Sequence, residues 1–106
     1  MLPTLDDALA YIGIDYADDM AKANATRALS AAKQIVLGAV GADVETYMAD
    51  DARVSQLILI YTDDLYSERA VSAKVSGATR RLVADMEAQL RLELRQIKEE
   101  MAEYDL

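Results

Sequence analysis

Four adjacent pairs of aspartates are the residues whose type and spacing could do chemistry. They are Asp6-Asp7, Asp18-Asp19, Asp50-Asp51 and Asp63-Asp64. Paired carboxylates can bind divalent cations or act in acid–base catalysis, so a metal-dependent hydrolase is one hypothesis. No pair is followed by the ligand spacing of a calcium-binding loop. Three of the pairs lie at the start of a predicted helix, where carboxylates bind free N–H groups, so helix capping is the favoured interpretation.

A second polar cluster combines hydroxyl groups with an acid and a base. Its members are Tyr61, Tyr66, Ser67, Glu68 and Arg69. Tyrosines at helical spacing usually line a core with the hydroxyl at the surface. The chain has no histidine and no cysteine, which excludes thiolate nucleophiles, histidine acid–base chemistry and Cys/His zinc sites. No glycine loop could hold a phosphate, so we predict a protein that is not an enzyme and has no cofactor.

The elements that position these residues belong to a small helical protein. A chain of 106 residues has room for one domain, which we expect to span residues 1–106. The net charge of −8 argues against binding to duplex nucleic acid. The longest apolar run, Leu57 to Tyr61, is much shorter than the roughly 20 residues that cross a membrane. Because the opening MLPTLDDALA does not resemble a secretion signal, we expect a cytoplasmic protein that does not enter membranes.

The apolar spacing predicts an all-α bundle of one short and three longer helices. The first helix begins after Thr4 and ends at Gly13. The second begins at Asp18 or Asp19 and runs to about Val40. Small side chains at helical spacing predict that its inward face packs closely on a neighbour. This predicted face comprises Ala21, Ala25, Ala28, Ala32, Ile35 and Ala39.

The third helix follows a connector over residues 42–49 and is expected to be the central one. It begins at Asp50 or Asp51 and runs to about Arg69, with Leu59 and Ile60 making its middle apolar on nearly all sides. Its apolar stripe comprises Val54, Leu57, Ile58, Tyr61 and Leu65. A loop over residues 71–77, with Ser76 as a helix cap, is predicted to follow.

The last helix, over about residues 78–106, is the element with the clearest functional signal. A helix of about 27 residues is about 40 Å long, so we expect part of it to project from the fold. Its apolar stripe comprises Leu82, Met86, Leu90, Leu94, Ile97, Met101 and Tyr104. Acidic residues near its end oppose the helix dipole. The pattern predicts a docking surface formed by Leu90, Leu94, Ile97, Met101 and Tyr104, although a solvated helix end would also fit the charges.

Two stretches resemble the bacteriophage head-tail connector proteins, small adaptors of long-tailed phages that attach beneath the portal. The opening TLDDALAYIGID is similar to the family's Leu-acidic-acidic-Ala start leading to Tyr-Leu/Ile and Asp. The residues that match it are Leu5, Asp6, Asp7, Ala8, Tyr11, Ile12 and Asp15. The stretch DARVSQLILIYTDDLYSERA is similar to an Asp-x-Arg/Lys start, an aliphatic run and a Leu-Tyr-x-x-Arg finish. Its matching residues are Asp51, Arg53, Leu57, Ile58, Leu65, Tyr66 and Arg69.

The resemblance covers roughly the first 75 residues of the 106, and the C-terminal part departs from relatives with a shorter, proline-rich ending. It implies a ring of about twelve copies that matches the portal's symmetry. The ring would contact the portal and a stopper or tail-completion protein. DNA would pass through it without sequence-specific binding. The protein would be made in the host bacterial cytoplasm and reside in the virion at the head-tail interface.

The alternative is a small helical regulatory protein that binds a protein partner through its C-terminal helix without forming a ring.

Overall fold

The computed structural model describes residues 1–67 and 77–104, with side chains for residues 1–67 and 80–102. Over these ranges the regular elements are five α-helices, which confirms the all-α prediction. They are α1 (Leu5–Ile12), α2 (Asp19–Val40), α3 (Val44–Tyr47), α4 (Ala52–Ser67) and α5 (Gly77–Tyr104). Arg69 and residues 71–76 of the loop predicted over 71–77, with its Ser76 cap, lie outside the described residues. The last residue of that predicted loop, Gly77, is instead the first residue of α5. None of the described helices combines the length and apolarity needed to cross a bilayer.

Both ends of α1 form as the sequence predicts. The Thr4 hydroxyl accepts a hydrogen bond from the Asp7 backbone N–H at 3.2 Å, and the Asp7 carboxylate accepts one from the Thr4 N–H at 2.9 Å. This reciprocal capping box satisfies two N–H groups that have no partner inside the helix. The helix ends at Gly13, whose φ of 93° is a left-handed conformation that glycine adopts without strain.

The second helix begins where Asp18 accepts a hydrogen bond from the Ala21 N–H at 2.7 Å. Its buried face comprises Ala25, Ala28, Ala32, Val36 and Val40. The prediction that Ile35 points inward is wrong, because this side chain is 39% exposed. From Ala28 onward the inward positions repeat every fourth residue, and neighbouring helix positions point about 100° apart. The inward residue is therefore Val36, and Ile35 faces solvent.

The fourth helix packs along α2, and this pair makes the most extensive contact between helices of the described chain. The alanines of α2 allow the two backbones to approach closely. Four residues of α4 are buried, namely Val54, Leu57, Ile58 and Thr62. Thr62 is absent from the predicted stripe because it is polar. Its hydroxyl donates to the Ile58 carbonyl oxygen at 2.6 Å, which satisfies the hydroxyl inside the core.

The connector predicted over residues 42–49 contains a further element. It forms the one-turn helix α3, and Val44 and Met48 are buried in the core that α2, α4 and α5 share. A helix of four residues is too short to show a periodic pattern. This explains why the sequence indicated only a loop.

Candidate functional site

The middle of α5 is part of the protein's own core. Leu90 is fully buried and Leu94 is 4% exposed, and both belong to the cluster formed with α2, α3 and α4. Ile97 is partly buried against the same cluster. The interpretation of Leu90 and Leu94 as exposed docking residues is therefore wrong for this conformation. The stripe on α5 is continuous in the sequence, and only the fold shows which part of it the other helices cover.

On its α4 side, α5 is held by Arg53. The guanidinium of Arg53 donates to the carboxylate of Glu93 and, at 3.4 Å, to the side-chain oxygen of Gln89. Asp51 accepts from the Arg53 backbone N–H at 2.9 Å and from its guanidinium at 2.8 Å and 3.0 Å. This guanidinium holds the pKa of the Asp51 carboxyl below its usual value. The Asp-x-Arg pattern thus begins α4 and orients a side chain that reaches α5.

Tyr61 makes a second link between the same two helices. Its hydroxyl donates to the carboxylate of Glu87 on α5. Burial, followed by the hydrogen bond to the Glu87 carboxylate, raises the pKa of Tyr61 to about 12 from tyrosine's usual 10.0. Both effects disfavour the phenolate in the folded protein.

This raised pKa predicts a loss of stability in alkali. A group whose pKa is higher in the folded state stabilises the fold below its unfolded pKa, and that contribution disappears as the pH rises. We therefore expect the free energy of unfolding to fall between about pH 10 and pH 12 more steeply in the wild type than in Tyr61→Phe, whose ring cannot ionise. Urea denaturation at several pH values measures this slope. Equal slopes would contradict the burial of Tyr61 beside Glu87 and the raised pKa that follows from it.

On its other side, α5 contacts the end of α2 and α3. The Arg91 guanidinium donates to the carbonyl oxygen of Ala39 at 3.0 Å, where the C-terminal end of α2 carries partial negative charge. The ammonium of Lys98 lies 2.7 Å from a carboxylate oxygen of Asp43, and this pairing raises the pKa of Lys98. These bonds hold α5 at two points separated by about two turns.

Between these helices lies a groove of about 480 Å³, here named the α2–α5 groove. It is lined by Val40, Gly41, Leu94, Ala102, Arg91, Arg95, Lys98 and Glu99. Gly41 has a φ of 140°, and a Cβ atom added to it would lie 2.8 Å from Cδ2 of Leu94. The backbone at the end of α2 therefore lies against the Leu94 side chain of α5, and both residues line the groove.

Past Lys98, the stripe on α5 extends beyond the cover of the other helices. Met101 is 49% exposed although it follows Leu94 by seven residues and so lies on the same face. Glu99, Glu100 and Ala102 are exposed as well. Tyr104 ends α5, and its side chain lies outside the described residues. Of the predicted docking residues whose side chains are described, Met101 is the exposed one and Ile97 borders the core.

The other residues predicted to belong to the core or to the connector pattern do not converge on one site. Ala8, Leu57 and Ile58 are buried, and Tyr11 is exposed. The partly buried ones are Leu5, Ile12, Tyr61, Leu65 and Tyr66. Most of these residues lie between helices, so they contribute to the fold and do not form a binding site.

The aspartate pairs serve local structure at three positions. Asp7 and Asp18 cap α1 and α2, and Asp51 binds the first turn of α4, which confirms capping in these three pairs. In the fourth pair, Asp63 accepts a hydrogen bond from the Ser67 hydroxyl at 3.3 Å. In the described part of the chain, no three acidic side chains converge to hold a metal ion.

Comparison of the chain with models of protein families, with curated proteins and with solved structures finds no match. The likeness to head-tail connectors therefore rests on the two stretches quoted above and stays a prediction.

Proposed function

We propose that this protein is a structural adaptor of the head-tail connector type, without catalytic activity. It attaches beneath a phage portal, forms a ring there and continues the DNA channel toward the stopper or tail. The observation that carries the proposal is the apolar stripe of α5, which anchors the helix through Leu90 and Leu94 and leaves Met101 half exposed. An apolar stripe that continues beyond its own fold favours a protein partner at that end.

The bonds that fix α5 on the other helices support this role, because they hold in place the helix that carries the exposed end. Arg53, Tyr61, Arg91 and Lys98 tie the helix to three different elements. Met101 is 49% exposed, so a partner that covers it would gain about 1 kcal/mol, roughly half of the value for full burial of such a side chain. The turns of α5 up to Lys98 are already fixed and need little ordering, which lowers the entropic cost of binding. The net charge of −8 also suits a ring through which DNA passes, since acidic surfaces repel phosphates.

Replacing Met101 with aspartate tests whether the exposed end of α5, here named the docking end, binds the portal. Burying an unpaired carboxylate is costly, so we expect Met101→Asp to weaken portal binding by at least about tenfold. Leu92→Asp is the matched control because Leu92 lies on the opposite face of α5 and is 55% exposed, close to the value for Met101. Co-sedimentation with portal assemblies from the same phage measures both. Equal binding by wild type and Met101→Asp would contradict the docking end, as would equal losses in the two variants.

Ring formation separates the adaptor from a regulatory protein that uses the same helix. Chemical cross-linking of the protein on assembled portal particles is expected to give a ladder that extends well past the dimer. A ladder that stops at the dimer would favour the regulator.

A further inference from the structure

The α2–α5 groove combines an apolar floor with a basic rim. Its cations, Arg91, Arg95 and Lys98, lie at positions i, i+4 and i+7 of α5 and therefore share one flank of the helix. Arg91 and Lys98 bind groups of their own chain. Arg95 is exposed and has no ion pair or hydrogen bond with any described residue. Glu99 lines the same groove and Asp43 pairs with Lys98, so the positive charge of this rim comes from Arg91 and Arg95. In a chain of net charge −8, these two cations lie beside an apolar surface whose exposed residue is Ala102.

The opposite end of α2 carries a surface of complementary character. Tyr16 is 98% exposed and Met20 is 74% exposed. The three aspartates beside them, Asp15, Asp18 and Asp19, are exposed as well. We name these five residues the α2 knob. Isolated apolar side chains on a surface are common, but two large ones framed by three carboxylates form a patch that suits an apolar site with a basic rim.

We infer that the α2 knob of one copy of this chain docks in the α2–α5 groove of a second copy. The two surfaces lie at opposite ends of α2, whose 22 residues separate them by about 33 Å. They cannot meet within one molecule, but they can meet between molecules. The aspartates of the knob would then face Arg95. Tyr16 or Met20 would cover the exposed Ala102. A site of about 480 Å³ is within the range that encloses groups of this size.

This contact has a consequence for assembly. Each copy would present a knob at one end and a groove at the other, so the interface is head-to-tail and leaves a free surface at both ends of a dimer. Such an interface continues to add copies, and it closes into a ring when the rotation between neighbours permits. The inference deepens the proposed function, on which the ring rests, by naming the two surfaces that join neighbouring subunits.

The absence of cysteine from the chain allows a direct test by disulfide trapping. In Met20→Cys/Ala102→Cys, the new thiols lie on the knob and beside the groove. Oxidation of concentrated protein without portal is expected to give a reducible ladder of dimers, trimers and larger species. Met20→Cys/Gln96→Cys is the matched control, since Gln96 is exposed on α5 but does not line the groove. No ladder, or ladders of equal extent in the two variants, would overturn the inference.

Charge reversal tests the partners within the same assay. Arg95→Glu and Asp19→Lys, each added to Met20→Cys/Ala102→Cys, are expected to reduce the ladder by about tenfold. Neither removes a side-chain bond seen among the described residues, where Arg95 makes none and Asp18, not Asp19, caps α2. Combining both reversals in one chain, or mixing the two single variants, is expected to restore the ladder. The inference fails if each reversal leaves the ladder unchanged, or if the combination is no better than either alone.

The outcomes separate this contact from the portal-binding role. If no ladder forms but Met101→Asp weakens portal binding as expected, only the proposed contact between subunits is contradicted. A ladder together with unchanged portal binding by Met101→Asp would contradict portal binding through the docking end and support the self-association.

Discussion

Leu90→Ala is expected to lower the free energy of unfolding by about 3–4 kcal/mol, because it removes a fully buried side chain and leaves a cavity between α5 and the core. Leu90 is 0% exposed and contributes to the cluster formed with α2, α3 and α4. A domain of this size has a total stability of about 5–15 kcal/mol. One substitution therefore removes a large fraction of the stability. Urea denaturation followed by circular dichroism measures it.

Leu92 provides the control for this substitution within the same helix. It is also a leucine, but it is 55% exposed, so Leu92→Ala should change the free energy of unfolding by no more than about 0.5 kcal/mol. A small effect of Leu90→Ala, comparable to that of Leu92→Ala, would mean that α5 does not pack on the core as described. It would also restore Leu90 as a candidate docking residue.

Gly41→Ala is expected to destabilise the protein by about 2–4 kcal/mol, from backbone strain and overpacking together. The φ of 140° at Gly41 is a conformation that residues with a Cβ atom rarely adopt. The added Cβ would also lie 2.8 Å from Cδ2 of Leu94, so this side chain would have to leave its 4% exposed position in the core. Strain and contact therefore act together at the junction of α2 and α5. Thermal or urea unfolding of the variant measures the loss.

Two other glycines separate these causes. Gly13 has a φ of 93° but no atom within 4 Å of an added Cβ, so Gly13→Ala should cost only about 1–2 kcal/mol from backbone strain. Gly38 lies within α2, with open space around it. Gly38→Ala should stabilise the helix by about 0.5–1 kcal/mol. A loss at Gly41 no larger than that at Gly13 would show that the close approach to Leu94 is absent.

The features of this fold that could be predicted from sequence are those that local chemistry determines. Thr4, Asp7 and Gly13 define α1 because caps and stops act within a few residues of the chain. Asp18 begins α2 for the same reason. The spacing does not predict the short helix α3, because four residues carry too little periodic signal.

The candidate site could be predicted only in part, because it depends on which helices cover α5. The sequence shows a stripe that runs through Leu90, Leu94 and Met101, and nothing in that spacing distinguishes a covered turn from an uncovered one. The tertiary structure divides the stripe, since α2, α3 and α4 cover its middle and leave Met101 half exposed. The α2–α5 groove has the same origin, because Gly41 and Leu94 are distant in sequence and meet only in the fold.

Hydrogen exchange along α5, measured on the free protein and on the portal-bound protein, tests the central claim most directly. The amides around Leu90 and Leu94 should exchange slowly in both states, since they belong to the core. Those over residues 99–104 should exchange rapidly in the free protein and slowly in the bound one. Protection that appears on binding only in other parts of the chain, with residues 99–104 unchanged, would contradict docking through the exposed end of α5.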